Sequence, residues 1–265
     1  MIDLLVDIDA SANNAALLRY TFALAKRCGG HVTGVNIVRL DAALLALPDP
    51  LELIDQEERQ AREREPWWMR QCEANGVSGE WEVYRGFYEH TMARRASLTD
   101  MVVGRLISAE SKVMPRSWLL GRTLLAGSAP VILVPDGCLK ERGAHTIVIA
   151  WNGSIEAARA VKAALPLLLQ AKRVIVLDGE TQESDTRPTA LRLNAWLVRH
   201  GVVADWEALV FIDDPGHAIL ARALEHNADL LVMGAWSHSR AHEVILGGVT
   251  RHVLQHSRVP LLLSH

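Results

Sequence analysis

The chain lacks most of the features that announce a particular chemistry. No cluster of Lys and Arg stands out, and the formal charge is only −3 over 265 residues. Nucleic acid and anionic membranes both call for a clustered basic face, so neither is expected as a main partner. No apolar run is long enough to cross a bilayer; runs such as Val131 to Val134 and Leu230 to Met233 are strand-sized. Cysteine is scarce: Cys28, Cys72 and Cys138 are odd in number and far apart. They form neither a disulfide framework nor a metal spacing, and fit buried or incidental thiols in a reducing cytosol. The opening Met-Ile-Asp-Leu-Leu-Val reads as a strand, without the basic and apolar regions of a leader, so a cytoplasmic protein is expected. Familiar enzyme signatures are also missing. There is no Gly-x-x-x-x-Gly-Lys-Ser/Thr loop, no Gly-x-Gly-x-x-Gly after a first strand and no Gly-x-Ser-x-Gly elbow.

What is present is apolar residue in quantity, 49% of the chain, ordinary for a protein with a sizeable core. It is arranged as an internal repeat. Leu4-Leu5-Val6-Asp7-Ile8-Asp9-Ala10-Ser11 returns as Ile147-Val148-Ile149-Ala150-Trp151-Asn152-Gly153-Ser154. Gly76 to Glu82 matches Gly201 to Glu207, Asp100 to Gly104 matches Asp229 to Gly234, and Ala129 to Val134 matches Val259 to Ser264. Four blocks in the same order divide the chain into a first unit, 1–137, and a second, 144–265, across a polar stretch with Pro135, Gly137 and Gly143.

Within each unit short apolar runs alternate with helical patterns. Strands are expected over 2–8, 31–38, 80–85, 100–104 and 130–134, then over 145–151, 173–178, 203–210, 229–233 and 259–263. Helices are expected over 12–28, 51–75, 87–98 and 117–127, then over 155–170, 187–200, 214–226 and 247–257. Strands that are apolar throughout point to parallel sheets covered on both faces. The fold class is therefore α/β, with two tandem doubly wound parallel five-stranded sheets. Ser11 and Ser154 stand where helix N-caps belong, and Gly29-Gly30 and Gly201 where helices stop. Pro66 should kink or split the helix over 51–75, because proline removes a donor and clashes with the preceding turn.

In an open parallel sheet, ligands bind beyond the carboxyl ends of the strands where strand order reverses. In each unit that place lies between the end of the first strand, Asp9 or Asn152, and the end of the fourth, Gly104 or Gly234. The stretch after Gly234 is the most informative. Gly234-Ala235-Trp236-Ser237 is followed, nine residues on, by Gly247-Gly248-Val249-Thr250 at the start of a helix. Such a loop can offer backbone N–H groups and the positive helix end to a phosphate.

On these residues the chain resembles the universal stress proteins. Their ATP-binding members carry Gly, two residues, Gly, nine residues, Gly, then Ser or Thr, with an Asp ending the first strand. The second unit has that spacing at Gly234 and Gly247, with Ser237 and Gly248 at the intervening positions and Asn152 in place of the Asp. The resemblance implies a Rossmann-like fold and an adenine nucleotide such as ATP, with or without Mg²⁺. By the same resemblance Ala150 and Met233 would flank the base and Asn152 would hold the ribose. Gly234, Ser237, Gly247, Gly248 and Val249 would line the phosphates, with Thr250 supplying a hydroxyl. It also implies that the two units pack as an intramolecular pseudo-dimer, with a homodimer of chains as a further option. The bland alternative is that these glycines only allow tight strand-to-helix packing.

The first unit keeps Asp9 but has Arg105-Leu106-Ile107-Ser108 after Gly104, and Ser117-Trp118 where the second has Gly247-Gly248. It is expected not to hold ATP. No general base, arginine finger or metal cradle is identifiable, so hydrolysis should be slow or absent. The expected function is stress-associated nucleotide binding by the second unit. A scaffold or small-ligand receptor of the same fold is the alternative. Three further constellations carry competing readings. His238 with His242, and His252 with His256, are spaced for one helix face, with Glu243 nearby, and read as surface or capping histidines before metal ligands. Asp7 and Asp9 would alternate onto one side of a strand. Trp67-Trp68, Trp81 and Trp206 suit a core, though Trp67-Trp68 would also suit a partner surface.

Overall fold

A computed structural model describes residues 1–9, 14–40, 42–107, 129–140, 143–179, 189–209, 214–235 and 248–265, apart from the side chains of residues 42, 43, 189 and 191. The first half begins with β1 (Asp3–Asp7), α1 (Ala15–Cys28) and β2 (His31–Arg39). Short α2 (Ala42–Leu45) leads to α3 (Pro50–Arg62), α4 (Glu65–Asn75) and β3 (Ser78–Gly86). Then come α5 (Tyr88–Arg95), β4 (Met101–Leu106) and β5 (Val131–Pro135). The second half runs β6 (Thr146–Trp151), α6 (Ile155–Leu168), β7 (Arg173–Asp178), α7 (Thr189–Arg199) and β8 (Asp205–Ala208). It closes with α8 (Pro215–Glu225), β9 (Leu230–Gly234), α9 (Gly248–His256) and β10 (Leu261–Ser264). The helix expected over 117–127 lies outside the described residues.

Each half is a parallel five-stranded unit, as its continuous apolar runs predict. The two sheets are not separate, however. They form one ten-stranded sheet in the order β3-β2-β1-β4-β5-β10-β9-β6-β7-β8, joined by antiparallel pairing of β5 with β10. The seam sets Leu261 opposite Leu133, Leu262 opposite Ile132 and Leu263 opposite Val131. Left apart, these two wholly buried strands would each present an unpaired apolar edge, and pairing removes both. Further bonds cross between the halves: Tyr20 on α1 donates its hydroxyl to the Asp229 carbonyl at 3.1 Å, and Lys140 pairs with the Asp229 carboxylate at 3.2 Å. Burial pushes the Tyr20 phenol well above its ordinary pKa, so it remains a donor.

Alternate strand residues enter two continuous cores, one on each face. Leu4, Val6, Ile132, Ile147, Ile149 and Leu262 meet α1, α4, α6 and α7; Leu5, Leu133, Val148, Leu231 and Leu261 meet α5, α8 and α9. Helix ends follow the expected chemistry with one change. Ser154 caps α6 by accepting from the Ala157 N–H at 3.1 Å, and Gly29 closes α1 in the left-handed region at φ 62°. The N-cap of α1 is Asn14; Ser11, where the cap was expected, lies outside the described residues. Pro66 does split its helix: the chain breaks between α3 and α4, with the proline in the first turn of α4, where its missing N–H costs nothing. All three cysteines are free, and burial raises their pKa values, that of Cys72 to about 11.

Trp68 belongs to the core and is fully buried, 5.7 Å from Phe22 and 5.8 Å from Trp81 between ring centroids. Trp67 is half-buried beside it, under the Arg64 guanidinium at 4.8 Å. The structure thus gives Trp68 a core role rather than a partner surface.

Candidate functional site

In the second half the chain runs outward from β6 through β7 to β8, then returns to β6's other side as β9. Strand order reverses between β6 and β9, and a cavity of about 290 Å³ opens beyond their carboxyl ends. It is lined by Ala150 on β6 and Asn152 just after it, Met233 and Gly234 on β9, and Gly248, Val249 and Thr250 at the start of α9. Those are all the described residues among the expected set; Ser237 and Gly247 lie outside the described residues, as do His238, His242 and Glu243.

The geometry gives each group a distinct task. Asn152 accepts the Ser154 N–H on its side-chain oxygen at 3.2 Å, which orients the side chain and leaves its amide NH₂ and one oxygen lone pair for a ligand. Gly234 is forced by packing: a β-carbon there would lie 2.5 Å from the Ala157 nitrogen and 2.7 Å from the Glu156 carbonyl carbon. Gly248 is different, with nothing within 4 Å of such a carbon. The packing explanation therefore covers Gly234 and leaves Gly248 unexplained. The Thr250 hydroxyl is buried in the first turn of α9, whose N-terminus carries the positive end of the helix dipole.

The sequence reading missed several lining residues: Trp151, Ser154, Glu156, Gly179, Leu209, Pro215 and Ile219. Leu209 and Pro215, after β8 and at the start of α8, supply an apolar wall together with Ile219. Their position at a strand's carboxyl end was the available signal. Glu156 is the most consequential omission. It sits in the first turn of α6, only 7% exposed, and its carboxylate has no hydrogen bond or ion pair to another described residue. The α6 N-terminus favours a negative charge there, which helps such a group to be tolerated in the interior.

The equivalent place in the first half is built otherwise. β4 does not stop at Gly104: Arg105 pairs with Val134 and Leu106 with Pro135, and the Arg105 guanidinium engages the Asp136 carboxylate at 2.7 and 2.8 Å. Asp7, the counterpart of Ala150, is buried and accepts the Tyr88 hydroxyl at 2.7 Å. β1 ends at Asp7, so the strand alternation expected to align Asp7 with Asp9 does not extend to Asp9. Trp118 and Ser117 lie outside the described residues.

The histidines of α9 do share a face, with ring centroids of His252 and His256 4.4 Å apart. His252 Nδ1 lies 2.7 Å from an Asp214 carboxylate oxygen, and His256 Nδ1 lies 2.9 Å from the His252 carbonyl. Asp214 also N-caps α8, accepting from the Gly216 N–H at 2.8 Å. Among the described residues, no group of three or more His, Cys, Asp or Glu could hold a metal ion. No described helix is long and apolar enough to cross a membrane.

A doubly wound parallel unit with a cavity at its strand-order reversal defines a class of ligand-holding α/β protein. Comparison narrows it. Residues 143–265 match the model of the Universal stress protein family. Across both halves the chain is similar to a universal stress protein from Archaeoglobus fulgidus DSM 4304, with a TM-score of 0.75 at 17% identity, covering 99% of this chain and 96% of that one. It is also similar to a functionally unknown protein from Pseudomonas aeruginosa PAO1, with a TM-score of 0.59 at 14% identity, covering 99% and 92%. No curated protein matches. The family model thus covers the second half of the chain, and the two halves together share the fold of the Archaeoglobus protein.

Proposed function

We propose that the second unit, residues 144–265, holds an adenine nucleotide without efficient turnover, in a stress-associated role. The observation that carries this reading is the convergence of Ala150, Asn152, Met233, Gly234, Gly248, Val249 and Thr250 on one cavity at the strand-order reversal. Apolar walls from Met233, Leu209 and Ile219 suit a base, while the Asn152 amide and the α9 N-terminus suit sugar oxygens and a phosphate. Holding rather than turnover is favoured because Glu156 is the one titratable side chain among the described lining residues, so an acid–base pair is missing. A Mg²⁺ ion would arrive on the nucleotide's phosphates, since one carboxylate makes no protein cage.

The first unit, 1–137, takes the part of a structural half in this reading. Its Asp7–Tyr88 bond engages the counterpart of Ala150, the residue assigned to the base in the second unit, which supports at most one nucleotide per chain. The palindromic strand order supports treating the two units as an intramolecular pseudo-dimer.

Calorimetric titration with adenosine, AMP, ADP and ATP tests the reading. The wild-type protein should bind at least one of them, and Val249→Trp should abolish binding while leaving the melting temperature within a few degrees. Silence with all four ligands up to millimolar concentration would refute it, and phosphate release well above background would refute the absence of turnover.

A further inference from the structure

A carboxylate that is withdrawn from solvent and lacks a protein partner is costly, and one that lines a cavity calls for a ligand that satisfies it. Glu156 fits this case through its setting: the residue as a whole is only 7% exposed, its carboxylate opens onto the 290 Å³ cavity, and no other described residue pairs with it. When ionised it can only accept hydrogen bonds. The neighbouring polar groups do not duplicate it. The Asn152 side-chain oxygen and the Ser154 hydroxyl oxygen each already accept one backbone N–H, and both groups, like Thr250, are neutral. Glu156 is the charge-bearing acceptor for ligand hydroxyls or amines among the described lining residues.

Its position also bears on phosphate. The end of β9 presses on the backbone of Glu156 and Ala157, the close approach that keeps Gly234 free of a β-carbon. Glu156 consequently stands beside Gly234, at the same wall of the cavity. Each phosphate placed there adds negative charge next to an existing negative charge. The cavity volume of about 290 Å³ acts in the same direction, lying just below the range of about 300–1,000 Å³ typical of ligand pockets.

Resting on the nucleotide reading above, we propose that Glu156 reads the hydroxyl and amine donors of the ligand and turns the site toward nucleosides and nucleoside monophosphates, against triphosphates. Its role is specificity: it receives donors from the correct ligand and repels the polyphosphate tail of the wrong one.

Calorimetry on the full chain in EDTA, with adenosine, AMP and ATP as probes, tests this. In the wild-type protein adenosine and AMP should bind more tightly than ATP. The isosteric Glu156→Gln removes the charge, and the ATP-to-adenosine affinity ratio should then rise about tenfold or more, the scale expected for like charges a few ångströms apart at intermediate dielectric. A wild-type protein that prefers ATP to adenosine overturns the proposal, whatever the variant does. An unchanged ratio in a folded Glu156→Gln protein overturns it too, while leaving the nucleotide reading standing. Failure of the wild-type protein to bind any of the three removes both.

Discussion

A β-carbon added to Gly234 would run into backbone atoms of α6, whereas one added to Gly248 would meet open space. The two glycines flank the same cavity, so this difference separates a glycine that packing requires from one that packing does not explain. Gly234→Ala should cost about 1–3 kcal/mol through overpacking against atoms that cannot rotate away. Gly248→Ala should change stability by no more than about 0.5 kcal/mol, as an exposed substitution does. Urea denaturation of both variants checks the pair, and equal losses would contradict it. Site residues of this kind were legible in the sequence, because a strand end and a glycine-bearing helix start are local signals. Glu156 was not. An acidic residue in a first helical turn is ordinary, and only the approach of β9 buries it. Asn152 was half legible: its identity was plain, but the bond from the Ser154 N–H that orients it is a matter of geometry.

Among the elements, α4 shows how a local rule and a tertiary one combine. Pro66 announces a break, and the structure places that break between Arg62 and Glu65. What the helix then does with Trp68 depends on partners distant in sequence. Trp68 fits between Phe22 on α1 and Trp81 on β3, over a strand position that carries no side chain. A β-carbon at Gly34 would lie 2.7 Å from the Trp81 ring and 2.8 Å from that of Trp68. Trp68→Ala should therefore cost about 3–5 kcal/mol, the range for deleting a buried aromatic. Equilibrium denaturation would show it, and a loss under about 1 kcal/mol would argue that the cluster is not part of the cooperative core. The strand and helix order could be read in advance because the apolar runs are short and regularly interrupted. Which tryptophan lay inside could not, since Trp67 and Trp68 are adjacent and identical in type.

The whole molecule is governed by the β5–β10 seam. Two repeated units were evident from four matched sequence blocks, yet their union into one sheet was not, because edge pairing leaves no periodic mark in a strand already apolar on both faces. A continuous sheet with cores running across it on both sides should unfold as a unit. Circular dichroism and tryptophan fluorescence should give coincident denaturation curves for the wild-type protein. Leu263→Pro removes a ladder donor of the seam, where Leu263 pairs with Val131, and should separate the curves into two transitions. Two transitions in the wild-type protein would show instead that the halves are thermodynamically independent.

The antiparallel sense of that seam has a directional consequence. All strands of one half point one way and all strands of the other point the opposite way, so their carboxyl ends emerge at opposite rims of the sheet. The cavity beside Asn152 and the tyrosine-filled place beside Asp7 consequently face away from each other. Sequence drift at one rim leaves the other rim's chemistry untouched, while both halves answer to the same central pair of strands. The two rims can thus diverge in chemistry while resting on one structural foundation.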